Sequence, residues 1–123
     1  MNLAELFERN GLGVMATAGA DGVVNTAIYA RPHVFNETTL VWGMTEGRNF
    51  RNLAQNHHAA FLFKSDQPGY RGVRLALELI RTEDSGVMLE TIKRQVGEVV
   101  GAGAGMAVTH AVWFRVAEIR DLA

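Results

Sequence analysis

The sequence predicts a mainly β protein of the α+β class, six antiparallel strands closing into a small barrel with short helices between them. Three observations lead there. Six runs of strand length recur along the chain, most of them rich in Val, Leu, Ile, Phe or Trp. Many of the joining segments are of hairpin length, which favours antiparallel neighbours. A six-stranded sheet of this size also leaves two bare edges unless it closes on itself. With 123 residues, 48% of them hydrophobic, the chain suits one domain around one core.

Taken in order, Leu3, Leu6 and Phe7 share a helical face, so residues 2–10 read as a short helix stopped by Asn10-Gly11. Residues 13–18 form a strand of small side chains, and Gly19-Ala20-Asp21-Gly22 a hairpin turn, because Gly and Asp accept positive φ. The second strand spans residues 23–31, with Val24, Thr26, Ile28 and Ala30 on one face. Pro32 cannot donate to a central ladder and marks an edge or bend. Asn36-Glu37-Thr38 turns the chain into a third strand, Thr39–Met44. A short basic helix covers residues 47–55, with Phe50, Leu53 and Ala54 toward the core. Residues 59–64 are a fourth strand, followed by a loop around Pro68. Residues 73–81 alternate, with Val73, Leu75, Leu77 and Leu79 on one face. Asp84 or Ser85 is placed to cap a helix carrying Val87, Met88, Thr91, Ile92 and Val96. Residues 97–105 hold four glycines and read as a loose loop, and residues 107–119 are the last strand.

Composition removes several function classes. A formal net charge of −1 gives no ground for nucleic-acid or membrane-surface partners. The absence of cysteine rules out disulfides, thiolate nucleophiles and thiolate metal sites. The acidic, amphipathic start M-N-L-A-E-L-F-E-R-N is unlike a secretory signal, and no apolar run approaches the ~20 residues of a membrane span, so the cytoplasm is the expected location. His57 and His58 are neighbours that a strand points to opposite faces, and His33 and His110 lack a second ligand at metal spacing; no metal site is expected. The run G-A-G-A-G from Gly101 lacks the strand, helix and downstream acid of a dinucleotide fingerprint. Ser65 and Ser85, the only serines, have no nucleophile-elbow context.

Chemistry concentrates between Val24 and Phe63, in V-N-T-A-I-Y-A-R-P and then T-L-V-W-G-M-T-E-G-R-N-F-R-N-L-A-Q-N-H-H-A-A-F-L-F. Arg48 and Asn49 follow Gly47 where strand gives way to helix. Free N–H groups and the positive dipole end gather at such a junction, and the Arg fork matches a phosphate. On spacing alone, Arg48, Arg51 and Asn52 read first as a solvated helix face, and the phosphate reading gains its weight from the resemblance given below. By the same standard Asn25 and Thr26 read as polar residues of an ordinary strand, and Trp42 and Trp113 as core.

The order of these elements resembles the FMN-binding split barrels, the pyridoxamine phosphate oxidase-like superfamily. The resemblance implies a six-stranded antiparallel split β-barrel over residues 1–123, a bound FMN, and a homodimer with the flavin at the subunit boundary. It assigns the flavin phosphate to a Lys or Arg at the helix start, followed by Asn and an aliphatic residue; here Arg48, with Asn49 and Asn52, takes that role. A segment similar to V-N-T-x-x-x lines the ring, which implies Asn25, Thr26, Ala27 and Ile28, whose backbone would meet the ring edge. Trp42-Gly43 would border the ring, with Gly permitting close approach. The resemblance also implies an aromatic of the last strand, Trp113, near the partner's flavin. No side chain reads as an obligate acid or base, since the isoalloxazine itself carries the hydride or electron.

The implied function is a flavin-dependent oxidoreductase acting on a small molecule. The alternatives are a flavoprotein for electron transfer or storage without turnover, and a relative holding haem or deazaflavin. A single basic helix start without a pyrophosphate loop favours FMN over FAD. The final A-V-W-F-R-V-A-E-I-R-D-L-A lacks the Trp- and Arg/His-rich motif of true pyridoxamine phosphate oxidases, so vitamin B6 oxidation is not expected. Val112, Trp113 and Phe114 make both faces of the last strand apolar, so one face needs a partner beyond its own barrel, which a second subunit would supply.

Overall fold

The computed structural model describes residues 2–122 and contains seven strands rather than six. They are β1 (Gly11–Ala18), β2 (Val24–Tyr29), β3 (His33–Asn36), β4 (Thr39–Met44), β5 (His58–Ser65), β6 (Gly72–Glu83) and β7 (His110–Asp121). The helices are α1 (Leu3–Leu6), α2 (Arg48–Gln55), α3 (Val87–Val99) and α4 (Ala102–Ala107). All seven strands join one antiparallel sheet in the order β2-β1-β5-β6-β7-β4-β3. The strand missing from the sequence reading is β3. Its four residues, H-V-F-N, are too few to show an alternation, and its pairing with β4 shifts register between Val34 and Asn36.

The sheet is open, not closed: among the described residues, β2 and β3 end the order and do not pair with each other. Only Ala30, Arg31 and Pro32 separate them in sequence. From Tyr29 to His33 a fully extended chain reaches roughly 14 Å. The sheet must therefore curl until its two edges approach at this corner, a barrel with a slit. A ladder does not finish the job, in keeping with Pro32 lacking an N–H. Side chains hold the corner instead. Trp42 Nε1 donates to the Ala30 carbonyl at 3.0 Å. Arg31 Nη1 donates to the carbonyls of Phe7, Glu8 and Arg9 at 3.1, 3.1 and 3.0 Å, just past α1, where a cation complements the helix end.

Pleating gives β4 and β7 two jobs. Leu40, Trp42, Val112 and Phe114 point into the barrel, where they meet Met15, Phe61, Phe63 and Leu75. Val41, Ala111 and Trp113 point outward and form a second core beneath Leu89 and Ile92 of α3. The doubly apolar last strand is thus covered by a helix of its own chain, which corrects the expectation of an external cover there. The helix itself begins at Gly86, with φ +111° and no side-chain cap, so neither Asp84 nor Ser85 caps it. The glycine-rich stretch is helical as well. Gly105 is buried, and a Cβ there would sit 2.6 Å from the Lys93 carbonyl and 3.2 Å from Gly97. Those glycines allow α3 and α4 to touch; they do not mark a loop. At α2, Leu53 is buried as expected, whereas Ala54 is exposed.

Replacing Arg31 by Met should remove three carbonyl contacts at the slit and lower stability by about 1–3 kcal/mol. Urea unfolding measures it. An unchanged midpoint would mean that Trp42 alone holds the corner.

Candidate functional site

The turn from β4 into α2 delivers Gly47 as an extended N-cap with no side-chain cap, and the first turn carries no acid. Arg51 N returns to the Gly47 carbonyl at 3.0 Å, which leaves the preceding N–H groups of the first turn without intrahelical partners. Arg48 is exposed at this start and makes no hydrogen bond or ion pair among the described residues. The nearest acid in sequence, Glu46, is engaged: His110 Nε2 stands 3.1 Å from its Oε1, and the His110 ring stacks on Phe50 at 4.0 Å.

Beneath the helix lies a polar cluster. Asn49 is only 3% exposed. Its Oδ1 accepts from Thr17 Oγ1 at 2.5 Å and from Asn25 Nδ2 at 3.2 Å. Asn52 Nδ2 donates to Thr17 Oγ1 at 3.1 Å, and Gln55 Oε1 accepts from the Ala20 N–H at 3.0 Å. Residues 49, 52 and 55 share a helical face, so three amides pin α2 to the β1–β2 hairpin. Asn49 Nδ2 is buried without a partner. The sequence pointed to Asn25, Asn49 and Asn52 but missed Thr17 and Gln55. Their shared spacing was visible; the strand opposite them, some thirty residues away, was not. Nearby, burial pushes the Tyr29 phenol above its ordinary value, with Asn49 partly opposing it.

The other sequence candidates are dispersed. On β2, Asn25, Ala27 and Tyr29 are partly buried, whereas Val24, Thr26 and Ile28 are exposed. Trp42 lies in the barrel core, tilted against Phe61 at 4.7 Å. A Cβ on Gly43 would come within 2.7 Å of Ile92 and 2.8 Å of Val108, so α3 makes the close approach there. Trp113 lies in the α3 core. Its Nε1 donates to Glu83, the Arg81 guanidinium sits 3.9 Å over its ring, and Phe35 meets it edge-on at 4.8 Å.

A cleft occupies the slit. β3 pairs with β4 only from Thr39 to Val41, so the β4 edge from Trp42 to Met44 has no strand neighbour on that side. Ile28 and Tyr29, at the end of the edge strand β2, line the same cleft as that stretch of β4. Between them opens a cleft of about 630 Å³, floored by residues 41–45, with residues 28–34 on one wall and α3 and α4 on the other. That volume suits a small ligand or cofactor. Gln95 Nε2 and His33 Nδ1 approach to 3.4 Å between the walls. The floor ends at Thr45, two residues before Gly47. Among the described residues no three His, Asp or Glu side chains gather at metal-binding distance, and no helix is long and apolar enough to cross a membrane.

A slit antiparallel barrel with helices over one face defines a split-barrel protein of the pyridoxamine phosphate oxidase-like class. The chain belongs to that family: the family model described as Pyridoxamine 5'-phosphate oxidase matches residues 2–123. No curated protein matches it. Among solved structures, an FMN-binding protein from Syntrophomonas wolfei subsp. wolfei superposes with a TM-score of 0.83 at 15% identity, over 97% of this chain and 82% of that one. HupZ from Group A Streptococcus gives 0.78 at 19% identity, over 98% and 90%. An F420 reductase gives 0.70 at 18% identity, over 94% of each. At such identities the likeness is one of fold.

Tyr29 supplies a pH test. Its phenol is harder to ionise when folded, so its contribution is complete below pH 10.0 and fades as pH rises past that value, where unfolded chains ionise first. Tyr29→Phe should therefore flatten the alkaline fall of the urea midpoint above pH 10.0. An equally steep fall in the variant would assign the alkaline loss to other groups.

Proposed function

We propose that the chain is an FMN-binding protein that works as a homodimer in flavin-dependent redox chemistry on a small molecule. One observation carries this reading. The cleft between two unpaired strand edges has a floor that ends at Thr45, two residues before a helix N-cap whose first turn has free N–H groups and an unengaged Arg48. A tricyclic ring with polar rim atoms needs apolar walls and backbone donors and acceptors at its edge. In this reading the ring meets β4 at Trp42 and Gly43 and β2 at Ile28, which line the cleft, and extends along the β2 edge past Asn25, Thr26 and Ala27, which lie outside its lining. Arg48 and the first turn of α2 hold the phosphate, and Asn49 and Asn52 hold that turn in place. The isoalloxazine, when bound, supplies hydride or electron transfer; the chain binds it, orients it and excludes water. Neighbours of the same fold that are named FMN-binding protein and F420 reductase support the choice of cofactor class. The latter favours one second reading, a deazaflavin in the same cleft, which absorbs at shorter wavelength and is separated by the visible spectrum of the purified protein.

The dimer reading rests on the outer face of β2, β1 and β5. Cross-strand rows Ile28–Val14–Leu62 and Thr26–Ala16–Ala60 make a contiguous, mostly apolar surface, on which Val24 and Ile28 are each 74% exposed. Charged residues of β6 and β7, Arg74, Glu78, Arg115 and Glu118, border it. Such a patch with a polar rim suits a second copy related by a two-fold axis.

Titration of apo-protein with FMN, FAD and riboflavin tests the cofactor. FMN should bind tighter than FAD, and Arg48→Ala should cost FMN about 1.5–3 kcal/mol while riboflavin loses almost nothing. Equal losses for both would make Arg48 a folding residue. Sedimentation tests assembly: flavin-loaded protein should run at twice 13.5 kDa, and a 13.5 kDa species retaining one flavin per chain would refute the shared site.

A further inference from the structure

The chain carries an acid beside its own anion-binding turn. Glu46 stands just before the Gly47 N-cap, two residues ahead of Arg48. Carboxylates are drawn to a helix N-terminus. A free Glu46 would therefore settle on Arg48 and the first-turn N–H groups, and compete with any phosphate for them. Its carboxylate is turned toward β7 instead, where His110 Nε2 lies 3.1 Å from Glu46 Oε1. An ionised carboxylate only accepts, so Nε2 carries the hydrogen of this bond. The holding ring is fixed on several sides. The His110 side chain is 12% exposed, against 73% for Glu46. The imidazole stacks on Phe50 of α2 at 4.0 Å, with the two planes 11° apart. His110 opens β7 in register with Met44, the end of β4, and the adjacent Thr109 N–H donates to the Met44 carbonyl at 3.0 Å. Arg51 Nη1 donates to the Glu46 carbonyl at 2.7 Å, so main chain and side chain of Glu46 are both tied. An exposed ion pair is usually weakened by the entropy of two long side chains; here one partner is a packed ring and the other has an anchored backbone.

We propose that His110 is a positioning residue for the phosphate contact: it sequesters the Glu46 carboxylate and so leaves Arg48 and the first turn of α2 open to an anion. The role rests on the reading of that turn as the phosphate contact. His110 acts on the ligand only through Glu46.

A double-mutant cycle tests the role, with FMN, riboflavin and inorganic phosphate titrated at low ionic strength. His110→Phe keeps a ring against Phe50 and removes the donor. It should weaken FMN about three- to fivefold, the scale of one exposed charge interaction, and leave riboflavin unchanged. Glu46→Gln should shift FMN affinity by less than about twofold in the wild-type background, yet restore it in the His110→Phe background. Inorganic phosphate should follow FMN through the cycle, and the His110→Phe loss should fade in about 0.5 M salt. Should His110→Phe not fold, His110→Leu removes the same donor and carries the same cycle. A loss that Glu46→Gln does not repair, or one that riboflavin shares, makes His110 a packing residue and overturns the role. FMN binding that depends on Arg48 and ignores His110→Phe also overturns it, and leaves the flavin reading intact. Protein that takes no flavin yet binds inorganic phosphate with the expected cycle upholds the role and removes the flavin reading. Protein that binds neither FMN nor phosphate overturns both.

Discussion

Three residues, Ala30, Arg31 and Pro32, constrain this fold more than any other feature. They join the first strand of the sheet order to the last, so the sheet has to curl around a core. The link is too short to let the edges drift apart, and no ladder joins them. The outcome is a slit whose two lips keep unpaired backbone groups. An exposed strand edge is ordinarily a hazard that proteins cover or blunt. Here the lips line a cleft, and the unpaired N–H and C=O groups are what the proposed flavin contact draws on. Trp42 and Arg31 fix the width of the slit by bonding the link to β4 and to the end of α1.

The same geometry explains why the candidate residues separate. A strand shows alternate side chains to opposite faces, so a contiguous motif such as V-N-T-A-I cannot present one side-chain surface. Asn25 joins the α2 cluster, while Thr26 and Ile28 face out with the apolar patch. What the motif can present as a unit is its backbone edge, and β2 is an edge strand. Trp42 and Trp113 illustrate the rule across the β4–β7 pair. One is in the barrel and the other under α3, on the opposite face of the same sheet.

Legibility in the sequence followed the range of the interactions involved. The third predicted strand, Thr39–Met44, has its observed bounds, because a β-rich run between a turn and a Gly is a local signal. The Gly19–Gly22 turn is likewise where expected, with Gly22 at φ +81° and its N–H on the Gly19 carbonyl at 3.0 Å. Three features depend on distant partners and could not be read. β3 is defined by its register on β4 rather than by its own four residues. The glycines at 97 and 105 look like loop formers until a second helix lies against them. The strand order, with β5 between β1 and β6, leaves no trace in connection lengths. The site divides in the same way: Arg48 and Asn49 were legible as a helix start, but the Thr17 hydroxyl that binds the Asn49 carboxamide comes from a strand that looked featureless.

The start of α2 shows what a binding-competent surface costs. Relative to an N-cap Ser, Thr, Asp or Asn, a Gly gives up roughly a few tenths of a kcal/mol. Gly47 offers no side chain, and Asn49 spends its oxygen on Thr17 and Asn25 while its Nδ2 stays unpartnered. A buried unpaired amide is itself unfavourable by about 1–3 kcal/mol. The hydroxyl of Thr17 resolves half of this arrangement. By accepting from Asn52 it turns its own proton to Asn49 Oδ1, so the two asparagines are held through one oxygen. The helix is thus secured from below, by side chains facing the hairpin, while its first-turn donors stay free. A helix fixed through its flank can keep an empty, positively polarised end, whereas one fixed through its cap cannot. That division of labour leaves the donors and the positive end of the junction open, which is the arrangement the proposed phosphate contact requires.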